Sequence, residues 1–342
     1  MSARIVLVAP VPLDSPRGNA ITVTRIAQGL RARGLDVCVQ SMDDHGSADH
    51  ATGGPPAVVH AFHAFRTGPL GLALFRRYRA PLVITLTGTD VSDDLRDAAR
   101  GCVVRETLLS AIAITAFHDS IAAEVAAVLP AVASRLAVVP QSVWIPPASA
   151  GGGVPRVHGD PCLLFPAGIR PVKRPLLPLG PLDDLLREHP GMRLWYAGPS
   201  LDTLETARLE RALSGRPWAR YLGPVPHSTM PSLFEAADVV LNCSLSEGGM
   251  ANAVLEALAF GRAVLASDIP GNRSLVEDGV TGLLFGSETE LGTSLERLAT
   301  NPALRRRLGD AGRRLVESRF TMERETDGYL EVYARVTGRP LA

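Results

Sequence analysis

The sequence predicts an α/β chain: two Rossmann-like parallel-sheet domains facing across a cleft. Three observations carry this. Short aliphatic runs such as Ile5-Val6-Leu7-Val8-Ala9 and Val239-Val240-Leu241 alternate with helical patterns along the chain, as buried parallel strands and their crossovers do. The length of 342 residues exceeds one core and suits two domains. The stretch Trp144 to Pro161, rich in proline and glycine with Gly151-Gly152-Gly153 inside it, reads as a linker. The expected boundaries are a domain over 1–145, a linker over 146–161, a domain over 162–318 and a closing helical segment over 319–342.

The first strand, Ile5 to Ala9, leads through the loop Pro10–Asn19 into a helix from about Ala20 to Arg33, capped by Gly34, and Leu35 to Val39 follows as a second strand. Arg17-Gly18-Asn19 at that helix start reads equally as a phosphate-facing turn or an ordinary connection. Ser41 to Pro56 is polar loop. Ala57-Val58-Val59 is a short strand ending at His60, with His63 and Arg66 beyond it. Further strands are expected at Pro81–Leu86, Ala111–Ala116 and Leu136–Val139, each followed by small or polar residues: Thr87-Gly88-Thr89-Asp90, Phe117-His118-Asp119-Ser120 and Pro140-Gln141-Ser142. In open parallel sheets ligands bind beyond the carboxyl ends of the strands.

After the linker, Cys162 to Phe165 leads into Ala167-Gly168-Ile169-Arg170-Pro171-Val172-Lys173. Strands follow at Met192–Tyr196, Arg220–Leu222, Val239–Leu241, Ala263–Ala266 and Gly282–Phe285, with Ser267 to Asn272 as a loop. Helices close the chain at about Glu288–Thr300, Pro302–Ser318 and Met322–Val336, the last with Tyr329 and Tyr333 on one face.

The densest pattern is Asn242 to Ala257. A buried strand runs into Ser244-Leu245-Ser246-Glu247, then Gly248-Gly249, then a helix in which Ala251, Val254, Leu255, Leu258 and Ala259 share one face and Asn252 and Glu256 another. Glycines let backbone N–H groups approach a ligand closely at a helix start, where the dipole favours negative charge. A carboxylate at each end of this turn suits a ligand carrying both hydroxyls and phosphate.

Composition narrows the function. The chain is 46% hydrophobic and 20% charged, with 35 basic and 35 acidic residues. This describes a globular protein with no global attraction to nucleic acid. Cys38, Cys102, Cys162 and Cys243 are too scattered for zinc or redox spacing, as in a reducing cytoplasm. No apolar run reaches the length of a signal peptide core or membrane span. Arg76-Arg77-Tyr78-Arg79 reads as a solvated basic face and leaves room for peripheral contact with anionic lipid. His60 and His63 lack the neighbours to complete a metal site, and Ser92-Asp93-Asp94 reads as a helix cap. There is no Gly-x-Gly-x-x-Gly turn in the context of an oxidoreductase and no Walker loop. The sequence carries no signal for oligomeric state.

The stretch Glu247 to Glu256 resembles the paired-glutamate signature of the retaining GT-B glycosyltransferases of family 4. Arg170-Pro171-Val172-Lys173, Pro231 to Val240 and Ser274 to Leu284 agree with it. Gly18-Asn19-Ala20, Thr87-Gly88-Thr89-Asp90, Gln141-Ser142 and Ile269-Pro270-Gly271-Asn272 look most like two subgroups, the glycosyltransferase 1 domain-containing proteins and the selenosugar synthases. The resemblance implies a GT-B fold whose N-terminal domain serves the acceptor, whose C-terminal domain binds the nucleotide sugar, and whose last helix returns to the N-terminal domain. It implies retaining, metal-independent, cofactor-free transfer from a nucleotide diphosphate sugar, a UDP-sugar above all, to a small-molecule or glycan acceptor. The alternatives are selenosugar synthesis from UDP-GlcNAc and selenophosphate, or sugar-nucleotide epimerisation.

By the same resemblance Glu256 binds ribose, while Glu247 and the amides of Gly248, Gly249 and Met250 hold the sugar. Lys173 and Arg170 hold the diphosphate, Asn252 joins the donor set, and Gly18 and Asn19, donor residues too, close over the phosphates or the acceptor. Lys173, Glu247 and His63 are the expected catalytic residues. Arg17, Arg66, Thr87, Asp90 and His118 are the expected acceptor-side residues. Three departures stand out. Eight residues, not seven, separate Glu247 from Glu256. Gly168 stands where many relatives place an arginine, and Thr87 where many place a histidine.

Overall fold

A computed structural model describes residues 2–15, 18–42, 54–145 and 157–342. Arg17, most of the expected linker and the centre of the loop Ser41–Pro56 lie outside the described residues. In chain order the first elements are β1 (Arg4–Ala9), α1 (Gly18–Ala32), β2 (Asp36–Ser41), β3 (Val58–Phe62), α2 (Gly68–Tyr78) and β4 (Leu82–Thr85). Then come α3 (Thr89–Ser92), α4 (Gly101–Ser110), β5 (Ala113–Ala116), α5 (Asp119–Val128) and β6 (Leu136–Val138). The second series is β7 (Cys162–Pro166), α6 (Leu179–Leu185), β8 (Arg193–Ala197), α7 (Thr203–Leu213), β9 (Ala219–Tyr221), α8 (Met230–Ala236) and β10 (Val239–Asn242). It continues with α9 (Asn252–Ala259), β11 (Ala263–Ser267), α10 (Pro270–Arg273), β12 (Leu283–Phe285), α11 (Glu288–Thr300), α12 (Pro302–Arg319) and α13 (Met322–Thr337).

The chain divides into two compact units, one of Met1–Ser142 with Phe320–Ala342 and one of Val143–Arg319. Each holds a six-stranded parallel sheet, ordered β2-β1-β3-β4-β5-β6 in the first and β12-β11-β10-β7-β8-β9 in the second. Strand order therefore reverses between β1 and β3, and between β7 and β10. Those are the positions where loops part to leave a crevice at the carboxyl edge. Aliphatic strand residues fill both faces of each sheet, among them Ile5, Leu7, Val59 and Ile84 in the first and Leu163, Leu241 and Leu265 in the second. Polar side chains cap the helices where the sequence supplies them: Asp202 for α7, Ser287 for α11 and Thr321 for α13. No helix among the described residues is long and apolar enough to cross a membrane.

Helix α13 packs on α1 within the first unit. Arg25, 1% exposed, forms a two-pronged pair with Glu325, donating from Nε at 2.7 Å and from Nη2 at 2.8 Å. Ser142 Oγ donates to the same carboxylate at 2.6 Å. Strand β3 runs on past its expected end at His60 to Phe62, so His60 lies well inside the sheet. Polar bonding makes that burial tolerable. Its Nδ1 pairs with the Tyr333 hydroxyl at 2.7 Å and its Nε2 with Thr85 Oγ1 at 2.6 Å, and Thr85 bonds Thr115 in turn. The expected loop Ser267–Asn272 contains the start of a single helical turn, α10, with Pro270 at its first position.

Two predictions follow from these buried groups. Glu325→Ala, which removes the carboxylate from a fully desolvated arginine, is expected to cost about 3–5 kcal/mol in denaturant unfolding. The double change Arg25→Met with Glu325→Leu is expected to cost less. Burial holds the His60 imidazole down to about 3, below its value in the unfolded chain, so the unfolded chain takes up the proton first. Stability is then full above pH 6.5 and falls on acidification, by about 2 kcal/mol from pH 6.5 to 5. Unfolding curves of His60→Leu are expected to lose this part of the slope.

Candidate active site

In the second unit the switch point joins the exits of β7 and β10. After β7 the chain enters a 3-10 turn, Pro171–Lys173, and reverses at Arg174, which has φ 46°. Two bonds dock this turn on the β10 exit: the Leu245 N–H donates to Val172 O at 2.8 Å, and Arg174 Nε donates to Cys243 O at 2.6 Å. The ammonium of Lys173 consequently meets the carboxylate of Glu247, the two side chains being 15% and 12% exposed. Arg170 Nε on the same loop is buried and without a hydrogen bond.

Glu247 is held from several sides. Besides Lys173 Nζ, its Oε1 accepts from Ser244 Oγ at 2.6 Å and Asn242 Nδ2 at 3.1 Å. Burial alone would raise its pKa. The Lys173 charge and these donors outweigh burial and hold the carboxyl below its ordinary value. The supports are themselves supported. Asn242 Oδ1 accepts the Ser244 N–H, Ser267 Oγ donates to Ser244 O, and Asn272 Nδ2 donates to Ser267 O at 2.9 Å. Gly271 lies so close beneath the turn that a Cβ there would stand 2.7 Å from Glu247 Cβ and 2.8 Å from Gly249 O.

Gly248 and Gly249 then carry the chain, through the buried Met250, to α9. The helix is regular from Asn252, with Val254 and Leu255 bonding back to Ala251 O. Glu256 therefore sits on a regular helix, and Gly248 to Ala251 is the stretch between the two glutamates that lies outside it. Glu256, in the second turn of α9, is buried at 8% exposure, and its Oε1 accepts from His227 Nε2 at 2.8 Å. Beside β7, the Leu201 side chain fills the space next to Gly168, where a Cβ would meet it at 2.5 Å.

The first unit presents its own set after β1, β3, β4 and β5. Gly18 and Asn19 open α1. His63, just beyond β3, has φ 84°, a region costly for a residue with a side chain. Its Nδ1 accepts the Arg66 N–H at 3.2 Å, which puts the proton of the neutral ring on Nε2. That nitrogen faces Thr89 Oγ1 at 2.9 Å and Asp94 Oδ2 at 3.7 Å. With both nitrogens hydrogen-bonded and the side chain 1% exposed, His63, the catalytic residue expected in this unit, braces the loops around it. Burial lowers its pKa despite the opposing fields of Asp90 and Asp94. Asp94 shifts upward, through burial first, against His63 and Arg100.

Asp90, expected on the acceptor side, is likewise fully buried, and its carboxylate accepts the N–H groups of Ala64, Thr87 and Gly88. It shapes the β4 loop from within. Asp94, expected to cap a helix, instead closes the group around His63. Thr87 Oγ1 and His118 Nε2 are buried without hydrogen bonds, and burial lowers the His118 pKa. Ser120 meets the other nitrogen of His118 at 2.6 Å. The Arg66 side chain is exposed.

Sequence reading passed over His227, Asn272 and the bracing roles of Asn242 and Ser244. His227 is 29 positions from Glu256, and no local pattern links them. Asn242 and Ser244 stood within the recognised stretch, but strand geometry alone reveals that they point at Glu247.

Comparison with known proteins bears on the fold and on the class of enzyme. Residues 160–301 match the family described as Glycosyl transferases group 1. The chain is 29% identical over 260 residues to glycosyltransferase 1 domain-containing protein 1 of Xenopus tropicalis, covering 73% of this chain and 75% of that one. It is 29% identical over 304 residues to the D-inositol 3-phosphate glycosyltransferase of Actinosynnema mirum, covering 81% and 72%. Among solved structures, sucrose-phosphate synthase from Thermosynechococcus elongatus superposes with TM-score 0.80 at 18% identity, over 98% of this chain and 99% of that one. Anabaena HepE in complex with UDP and glucose superposes with TM-score 0.80 at 17% identity, over 97% and 100%. The fold is GT-B, and the chain is a glycosyltransferase.

The close contact at Gly271 makes a sharp test. Gly271→Ala is expected to push the Glu247 loop outward, costing about 1–3 kcal/mol in unfolding experiments and lowering transferase activity. Wild-type stability and activity together would show that the loop has slack.

Proposed function

We propose that this glycosyltransferase is a retaining enzyme that moves a sugar from a UDP-sugar to a small-molecule or glycan acceptor without a metal ion. The observation that carries the reading is the pairing of Lys173 with Glu247 at the switch point of the second sheet, on the turn that leads into α9. Transfer breaks the bond between the sugar's anomeric carbon and the β-phosphate oxygen, and negative charge develops on the departing diphosphate. Lys173 and Arg170 supply positive charge to it, and the start of α9 adds the helix dipole. Glu247, kept ionised by its donors, accepts hydrogen bonds from sugar hydroxyls. Gly248, Gly249, Met250 and Asn252 complete the sugar side, and Glu256 takes the ribose. The UDP and glucose in the HepE complex support a UDP-sugar as donor.

The first unit is assigned to the acceptor, with Arg66, Thr87 and His118 as its contacts and His63 and Asp90 as their braces. Cys38, Cys102, Cys162 and Cys243 are all free thiols, which suits the cytoplasm. Within the broader group the reading favours family 4, with the selenosugar synthases as near relatives.

Lys173→Ala is expected to lower kcat by about 10²–10³, the effect of removing one donor from a developing oxyanion. Turnover of a panel of UDP-, GDP- and ADP-sugars measures this. NMR of the product reads whether the anomeric configuration is kept, and EDTA is expected to leave the rate unchanged. A selenium-bearing sugar formed from UDP-GlcNAc and selenophosphate would narrow the acceptor. Conversion of UDP-GlcNAc without any acceptor would replace transfer by epimerisation. Full activity in Lys173→Ala would overturn the assignment.

A further inference from the structure

We propose that His227 is the residue that gives the donor site its selectivity for ribose over deoxyribose, acting through Glu256. The inference rests on the reading of Glu256 as the ribose ligand and adds a second residue, from a different element, to that contact.

Glu256 has a side chain 10% exposed, on a helix whose neighbouring residues Val254, Leu255, Ala257 and Leu258 are fully packed. Its backbone is therefore fixed, but a glutamate retains torsional freedom in its side chain. His227 removes that freedom at the carboxylate. The imidazole donates from Nε2 to Oε1 at 2.8 Å, while Oε2 accepts no hydrogen bond among the described residues. One oxygen is anchored and the other is left to a ligand. A carboxylate held in this way presents its second oxygen in one direction, as recognition of a pair of adjacent hydroxyls requires.

The histidine is itself placed from two sides. It opens the 3-10 turn His227–Thr229 behind Pro226. On another side the Trp144 ring lies 5.5 Å from it, centroid to centroid, at an interplanar angle of 41°. Its side chain is 21% exposed, so it borders the site without filling it. Lysine or arginine here would present several donors to the carboxylate and could occupy both of its oxygens. The imidazole meets the carboxylate through Nε2 alone and leaves its other oxygen open.

A ligand's loss of a hydroxyl and the protein's loss of His227 should then be redundant with each other. Calorimetry with UDP, GDP and ADP, each against its 2′-deoxy form, measures this on the full chain. Wild type is expected to prefer the ribose form. His227→Ala is expected to bind the ribonucleotide about tenfold more weakly, the effect of losing one charged hydrogen bond, and to bind the deoxy form as wild type does. His227→Gln, whose amide can donate in place of Nε2, is expected to restore most of the preference. In a Glu256→Gln background, His227→Ala is expected to add little. With a sugar donor, the loss should appear in KM and spare kcat.

A deficit in His227→Ala that is equal for ribose and deoxyribose forms, or is not recovered by His227→Gln, would overturn the proposal while leaving the donor reading intact. So would unchanged binding. Failure of wild type to bind any of the six nucleotides would overturn the donor reading itself, and the role of His227 with it.

Discussion

The second unit is arranged around one contact, the ion pair of Lys173 and Glu247. Placing two charges where each is mostly shielded from water costs several kcal/mol unless geometry and further hydrogen bonds offset the lost hydration. The neighbourhood supplies both. Ser244 and Asn242 add donors to the carboxylate. The Leu245 N–H and the Arg174 guanidinium bind the two loops together through backbone oxygens. The charges are thus brought together by strand exits already paired within one sheet. Little chain entropy is left for the contact itself to overcome.

That arrangement explains residues with no direct chemical part. Asn272 bonds Ser267, Ser267 bonds Ser244 O, and Ser244 bonds Glu247, so the exit of β11 bears on a carboxylate after β10. A position such as Gly271 is then small because the backbone above it must come close. The first unit follows the same logic with different groups. Asp90 collects three backbone N–H groups and thereby shapes the loop after β4. His63 is held at an unfavourable backbone angle by contacts to Thr89, Asp94 and the Arg66 N–H. In both sheets buried polar side chains fix loops, and the loops carry the residues assigned to ligands.

Much of this was legible because parallel strands buried on both faces read as unbroken aliphatic runs. The alternation along the chain placed most strands to within a residue or two, and motif spacing placed Lys173, Glu247 and Glu256 on loops and a helix at one sheet's carboxyl edge. What escaped was polar residues doing the work of apolar ones. His60 looked like the end of a strand because histidine is usually exposed, yet Tyr333 and Thr85 satisfy both of its nitrogens inside the sheet. Asp90 looked available because an aspartate after a strand often is, and only the fold reveals that Ala64, Thr87 and Gly88 occupy it. His227 was invisible for another reason. Its partner is distant in sequence, and the pairing depends on how the turn before α8 lies against α9.

The unusual interval between the two glutamates shows which features of the site are set by count and which by packing. If spacing alone fixed the geometry, one added residue would rotate Glu256 by about 100°, given 3.6 residues per helical turn. Helix α9 resists this because Val254, Leu255, Ala257 and Leu258 are buried at 1% exposure or less, and their insertion into the core sets its rotation. Glu256 takes its direction from those four side chains and its final orientation from His227. The stretch from Gly248 to Ala251 lies outside the regular helix, so length can vary there without turning Glu256.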